Sequence, residues 1–359
     1  MTLHVFNPEH EHALAADLAV FTPPHAARQL RSDLSFMPAL WAEDGDVVIV
    51  DDVSMARKRW QNVRLQHRPD VSFATLGNIG EYFSCGQKVS VSPWGWDKTL
   101  RTTLLRAGVP AAMMPSEETL AIIRRLSNRS LAVRMLTLLA DGEGLTGYAC
   151  VCNTYEDVCR YLARHGEIVV KAPWSCSGRG VRYVTEGALT DNDSHWIQRI
   201  ISQQGSVVAE VRCRKKLDFA VEFMAEEDGS VRAMGLSLFT TSGSAYTGNL
   251  LATEEEKRCR IAEYLPLERL DSVTRRIEQF LADSISGVYV GPLGVDMMVT
   301  AGDCETDSTQ YHLNPCVEIN LRRTMGHVAL ALSERGQRGV MGITYEDKSY
   351  NITLTNNNL

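Results

Sequence analysis

Gly291-Pro-Leu-Gly-Val-Asp-Met-Met-Val299 and, fifteen residues further on, Asn314-Pro-Cys-Val-Glu-Ile-Asn-Leu-Arg322 decide how this chain folds. The first is an apolar run with one acid, Asp296, inside it, and it predicts a buried strand. The second predicts another strand, with Glu318 and Asn320 two positions apart. Residues two apart in a strand share a face, so Glu318, Asn320 and Arg322 are expected to point the same way. The polar stretch 302–310 between the runs predicts a hairpin loop. Pairing the strands would then bring Asp296 to the same group. Oxygens gathered on one sheet face are costly to bury without a cation. Magnesium, held by a few carboxylates and by phosphate oxygens, meets that need. The bland alternative is an exposed sheet edge whose carboxylates are simply solvated.

Upstream stands Val169-Val-Lys-Ala-Pro-Trp-Ser-Cys-Ser-Gly-Arg-Gly-Val181. A lysine, Lys171, ends an apolar strand. Small residues from Ser175 to Ser177 follow, then Gly178-Arg179-Gly180 and a second strand. Small residues and glycines let backbone N–H groups approach phosphate oxygens, and the lysine adds a point charge. The competing reading is a tight glycine hairpin with an incidental lysine. Cys176 sits among serines, which points to a need for small residues rather than to thiol chemistry.

Around these segments the chain divides by pattern. Leu3–Phe6, Asp46–Val50 and 71–76 read as strands, with a helix over Pro24–Leu34 among them. That alternation predicts a small doubly wound α/β unit over roughly the first 110 residues. Helices are expected from an N-cap at Ser116, over Ser130–Ala140, and from the capping signal Thr154-Tyr-Glu-Asp157 to His165-Gly166. Strands are expected at 167–171, 181–184, 206–211, 219–225 and 231–239. A helix near 194–204 lies among them, and Asp228-Gly229 signals a hairpin. A long helix over 267–284 precedes the two strands quoted first. Thr240 to Asn249 reads as a flexible polar loop, a plain connection or a lining of an acceptor site. The last ten residues are polar, and the Asn-rich end is expected to be loosely held.

A strand-end lysine before a glycine-rich loop, then a Gly-x-Asp strand and a Glu-x-Asn-x-Arg strand, resembles the pattern of the ATP-grasp superfamily over about residues 120–330. The resemblance implies an α/β (α+β) chain with the ATP-grasp fold preceded by a small Rossmann-like domain. The expected divisions are 1–115 for that first domain, 116–205 for a lid subdomain, 206–340 for a catalytic subdomain and 341–359 for a tail. It further implies that Lys171 binds the α- and β-phosphates of ATP under a loop containing Ser175, Ser177, Gly178 and Gly180. Asp296, Glu318 and Asn320 would ligate magnesium, two ions with manganese as a substitute, and Arg322 would sit near the transferred phosphate or the substrate. Glu210 and the Val211 backbone would meet the adenine edge. Asp218 would hold the ribose, with Glu222 as competitor and a solvated acid as the plain alternative for either. The family's second phosphate-binding cation falls on Arg129, 42 positions before Lys171, although Lys98 in an Asp-Lys pair looks more like the usual signature.

The activity so implied is ATP-dependent activation of a carboxylate, from a small molecule or peptide, for attack by an amine-type acceptor. A phosphotransferase and a non-catalytic nucleotide-binding regulator are the other readings, and a homodimer is compatible with all three. Composition narrows the field. The chain has 359 residues, 44% hydrophobic and 23% charged, ordinary values for a globular protein of more than one packed unit. A net charge of −7 without a basic block argues against nucleic acid as a partner. Lack of a long apolar run argues against a membrane span. Nine scattered cysteines and no signal-peptide pattern suit a reduced cytoplasm. Cys150 and Cys152 are expected to pack as ordinary apolar side chains. The segment Asn7-Pro-Glu-His-Glu-His12 follows the first strand, where open α/β sheets place their ligand crevice. Glu9, His10, Glu11 and His12 can there bind a substrate amine, a carboxylate or a metal, or merely start a helix.

Overall fold

A computed structural model describes residues 1–83, 88–140, 142–175, 180–243, 245–302 and 310–356. The chain forms two compact units. Unit 1 comprises Met1–Arg125, Thr247–Thr253 and Leu321–Leu359, and unit 2 comprises Leu126–Tyr246 and Glu254–Asn320.

Unit 1 begins with β1 (Thr2–Val5), β2 (Val47–Ile49), β3 (Ser72–Ala74) and β4 (Ser90–Pro93), all parallel in the order β3-β2-β1-β4. β4 escaped the sequence reading because Ser-Val-Ser-Pro is short, half polar and ends in proline. Apolar side chains leave this sheet on both faces, as a parallel sheet requires. Leu3, Val5, Val47, Ile49 and Ala74 join one core with Leu100 and Leu104. Val48 and Phe73 join the other with Phe6, Leu34 and Met37. The expected helix over Pro24–Leu34 occupies His25–Leu34.

Unit 2 contains an antiparallel sheet of β5 (Ala149–Cys152), β6 (Glu167–Lys171), β7 (Val181–Thr185) and β8 (Val207–Val211), ordered β5-β8-β6-β7. Two helices cover it. Tyr155–His165 opens with the expected capping box, the Thr154 hydroxyl accepting from the Asp157 N–H, and ends at Gly166 with φ +74°. Asp191–Gln204 starts three residues before the expected Ser194, because Thr190 and Asp193 form a second capping box. Val158, Leu162, Trp196, Ile197 and Ile200 from these helices close the core over Ile168, Val170, Val207 and Ala209.

Unit 2 continues with β9 (Lys215–Ala225) and β10 (Val231–Ser242). Their hairpin turns at Asp228-Gly229, where Gly229 has φ +86°. After β11 (Ala245–Leu251) come β12 (Gly291–Ala301) and β13 (Tyr311–Asn320), and β13-β12-β9-β10 are antiparallel neighbours. The stretch 240–249, expected as a flexible loop, is thus mostly strand, divided between the end of β10 and β11. Phe219, Val221 and Phe223 of β9 and Leu293, Val295 and Val299 of β12 point into the core. Alternation leaves Asp218, Ala220, Glu222, Gly294 and Asp296 on the opposite face. The helix Leu267–Ile285 buries Leu270, Val273, Ile277, Leu281 and Ile285, a helical stripe, and packs against β10.

β14 (Gly339–Glu346) and β15 (Ser349–Thr355) return to unit 1, where β14 pairs with both β11 and β15. Leu251, Val328, Ala329, Leu332 and Met341 complete one of its two cores. β15 ends at Thr355, and residues 357–359 of the Asn-rich end lie outside the described residues. Among the described residues Cys150, Cys152, Cys159, Cys259 and Cys316 are free thiols. Among the described residues no helix is long and apolar enough to cross a membrane.

Candidate active site

Lys171 ends β6 with its side chain on the face opposite Ile168 and Val170, which fill the core. Its Nζ lies 2.6 Å from Glu210 Oε2 and donates to the Val317 carbonyl at 3.3 Å. Register explains the first contact: Val169 opposes Glu210 across β6–β8, one step along the same face from Lys171.

Arg129 immediately precedes the helix Ser130–Leu139, which packs against β13. Its guanidinium is buried and donates to three acceptors: the Ala172 carbonyl, Ser175 Oγ at 2.8 Å and Glu318 Oε1 at 2.6 Å. The planar fork suits a bridge between three such groups, which a lysine would not span. Ser175 is also pressed against Gly180. A Cβ on Gly180 would lie 2.1 Å from both Ser175 Cβ and Oγ, so only glycine permits this closure of the loop base. The Ala172 N–H donates to the Gly180 carbonyl at 2.8 Å and completes it. Ser177 and Gly178, with Cys176 and Arg179, lie outside the described residues.

Asp296 and Glu318 are direct register partners across β12–β13, and Gly294 opposes Asn320 on the same ladder. The expected convergence of these three side chains thus follows from strand pairing. A register shift just beyond, between Asp296 and Met298, interrupts the ladder beside Val317, and pairing resumes at Met298–Asn314. Two carboxylates directly opposite each other repel. Arg129 offsets Glu318. The Cys316 thiol, fully buried, reports the surrounding field. Burial first, then the negative charges of Glu210, Asp296 and Glu318, push its pKa well up, against the opposing pull of Lys171. Three carboxylates and two cations therefore crowd one corner of unit 2, with acid in excess. Among the described residues no three His, Cys, Asp or Glu side chains gather as a self-sufficient metal cluster. Two carboxylates and the Asn320 amide suit instead a hard cation that completes its shell with other oxygen ligands.

A biotin carboxylase–β,γ-ATP complex from Campylobacter jejuni matches 93% of this chain and 69% of its own with a TM-score of 0.50 and 12% identity. A pyruvate carboxylase from Rhizobium etli with acetyl coenzyme A matches 92% of this chain and 27% of its own with a TM-score of 0.51 and 14% identity. The chain has the ATP-grasp fold. An N5-carboxyaminoimidazole synthetase from Staphylococcus aureus complexed with ADP aligns over 97% of this chain and 83% of its own, with a TM-score of 0.49 and 12% identity. No family model matches the sequence, and no curated protein does either.

With the ATP-grasp fold in place, the other expected residues can be located. Of the two candidate cations, Arg129 joins Glu318 and Ser175 in unit 2. Lys98 lies in unit 1, more exposed, with its Nζ 3.9 Å from Asp17. The Val211 N–H donates to the Tyr148 carbonyl at 2.9 Å, and Glu210 is turned to Lys171. Asp218 accepts from Lys215 Nζ at 2.6 Å and from Thr241 Oγ1 at 3.0 Å. Its competitor Glu222 is almost wholly buried, opposite Gly294. Arg322 lies just beyond the strand. β13 stops at Asn320, so Arg322 does not continue the Glu318–Asn320 face. It belongs to unit 1, where its Nε donates to Glu11 and its Nη1 to the Arg323 carbonyl at 3.0 Å.

The segment Asn7–His12 follows β1, beside the end of β4. Asn7 donates to the Gly95 carbonyl at 2.8 Å and to Asp97 at 3.1 Å, and His10 Nδ1 lies 3.1 Å from the same carboxylate. Asp97 also caps the helix Lys98–Arg106 through the Leu100 N–H. In the sequence, an aspartate directly before Lys98-Thr-Leu100 is the N-cap signal that points to this cluster. Glu9 pairs with Arg31 at 2.6 Å, yet burial raises its pKa despite that partner. Glu11 behaves oppositely. Burial would raise its pKa, but the charge of Arg322, followed by His10 and hydrogen bonds, brings it below the ordinary value.

Proposed function

We propose that this chain is an ATP-dependent ligase that activates a carboxylate for attack by an amine or similar nucleophile. The observation that carries the reading is the convergence, within unit 2, of Lys171, Arg129, Asp296 and Glu318, with Asn320 on the same ladder. In this reading Lys171 leaves Glu210 to meet the α- and β-phosphates, and Arg129 meets the γ-phosphate while still anchored on the Ala172 carbonyl. The loop based on Ser175 and Gly180 closes over them as a lid. Asp296, Glu318 and Asn320 would hold magnesium, which when bound neutralises phosphate charge and orients the triphosphate.

The substrate carboxylate attacks the γ-phosphorus, ADP leaves, and an acyl phosphate results. An amine then attacks the acyl carbon and inorganic phosphate leaves. Fixed cations around the transferred group act mainly by positioning and by offsetting charge that develops in the transition state. Water would hydrolyse the acyl phosphate, which gives the closed loop its purpose. In this reading Glu210, 2.6 Å from Lys171 Nζ, is the partner the lysine exchanges for phosphate.

Phosphate release from ATP with panels of carboxylates and amines tests the reading. Turnover is expected to require one member of each class. Lys171→Ala and Glu318→Ala should each lower it by at least about a hundredfold, the scale of removing a preorganised charge from a transition state, with the circular dichroism of the wild type. Wild-type turnover in either variant would refute the proposal.

A further inference from the structure

We propose that Cys150 and Cys152 are a redox-active dithiol that small-molecule disulfides of the glutathione class convert to an intramolecular disulfide, Cys150 attacking and Cys152 resolving. The two lie on β5, an edge strand, with one residue between them, so both side chains leave on the same side while Val151 faces solvent. Their sulfurs are 3.5 Å apart. Residues two apart in a strand have Cα atoms about 6.6 Å from each other, at the upper limit of roughly 6.8 Å for a disulfide, and their same-face Cβ atoms lie farther apart than the usual ~4.5 Å, so the strand must bend to close the bond. Closing the bond thus brings the sulfurs about 1.5 Å nearer, to the usual ~2.05 Å, together with a local bend of β5. β5 has four residues and, among the described residues, hydrogen-bonds as a strand along its β8 side.

The two thiols are not equivalent. Cys150 is partly exposed, whereas Cys152 is almost wholly buried in the core beneath the helix Tyr155–His165. The hydrogen bond between them favours the Cys150 thiolate and lowers its pKa, while the same bond, with burial, pushes Cys152 up. Asp157, at the start of that helix, opposes the thiolate in both. An accessible, more acidic thiol beside a buried one is the arrangement of an attacking and a resolving cysteine. The exchange balances. The Cys150 thiolate displaces one glutathione thiolate from glutathione disulfide and forms a mixed disulfide. Cys152 then loses its proton, attacks the Cys150 sulfur and releases the second glutathione, so the pair is oxidised by two electrons and the reagent reduced by two. Ala149, next to Cys150, is the register partner of Glu210, which places the pair on the strand bordering the Lys171–Glu210 ion pair.

The full chain, first reduced, is equilibrated against glutathione–glutathione disulfide buffers, quenched in acid, alkylated and mapped by peptide mass. The wild type should yield a Cys150–Cys152 linked peptide that reverts on dilution into reduced glutathione. Cys152→Ser should instead trap one glutathionyl group on Cys150, and in Cys150→Ser the buried Cys152 should remain alkylatable. Cys259, an exposed free thiol, serves as an internal control for reagent access. Three results would overturn the proposal. Both cysteines stay alkylatable in the wild type while Cys259 reacts, the wild type stops at a mixed disulfide, or Cys152 in Cys150→Ser takes glutathione as fast as Cys150 does in Cys152→Ser.

Discussion

Replacing Arg129 by glutamine removes a guanidinium that joins three parts of unit 2: the Ala172 carbonyl, the Ser175 hydroxyl and the Glu318 carboxylate. A hydrogen bond between charged groups contributes about 1.5–3 kcal/mol net. Glu318 keeps 29% of its side-chain surface in solvent, so screening places its share near the low end, about 1–2 kcal/mol. The two neutral acceptors add about 1 kcal/mol each. Arg129→Gln should therefore cost about 3–4 kcal/mol, and Glu318→Gln about 1–2 kcal/mol. A double-mutant cycle separates the pair from its surroundings. Urea unfolding of the wild type, both single variants and the double variant should give a coupling energy of about 1–2 kcal/mol, and 0.5 M salt should reduce it only slightly because Arg129 is buried. Losses that add within ~0.5 kcal/mol would show that the 2.6 Å contact stores no interaction energy. The argument from convergence would then fail at its best-defined pair.

Two further outcomes follow from particular contacts. Gly180→Ala places a Cβ 2.1 Å from Ser175 and should destabilise unit 2 by about 1–3 kcal/mol. Adding Ser175→Gly removes both clashing atoms and should restore part of that loss, whereas no recovery in thermal melts would show that the tight approach is not the cause. Glu11→Gln tests the unit 1 pair with Arg322. The folded pKa of Glu11 is depressed, so its stabilisation is complete above its unfolded value, about 4.3, and disappears as pH falls through the folded value. Melts should show the variant about 1–3 kcal/mol less stable than wild type at pH 7, with the gap closing in acid. A gap that is constant from pH 7 to pH 3 would assign the effect to shape rather than charge.

Much of unit 2 was legible because its signals are local. Lys171 ends an apolar run, Asp228-Gly229 marks a hairpin, and the two-residue spacing of Glu318 and Asn320 fixes a shared face. Pairing β12 with β13 then needs only sequence proximity. What escaped the reading is mostly non-local or lacks the usual turn residues. The β14–β15 hairpin turns through Asp347 and Lys348, both with positive φ (49° and 60°), where glycine or asparagine would have announced a tight turn. The return of 247–253 and 321–359 to unit 1 leaves no trace in hydrophobic periodicity, which reports which face is buried but not against what. Arg322 shows the same limit of strand alternation. Its spacing from Asn320 is right for a strand, but the strand had already ended. Arg129 stood out only by its distance from Lys171, and its three-way bridge to Ala172, Ser175 and Glu318 comes from tertiary packing.

The most direct measurement is a structure of the chain with magnesium and a non-hydrolysable ATP analogue. The account predicts phosphate oxygens within about 3 Å of Lys171 Nζ, and a cation bound by Asp296 and Glu318 between them and β12–β13. A nucleotide bound elsewhere, with Lys171 still paired to Glu210 and Arg129 to Glu318, would contradict it.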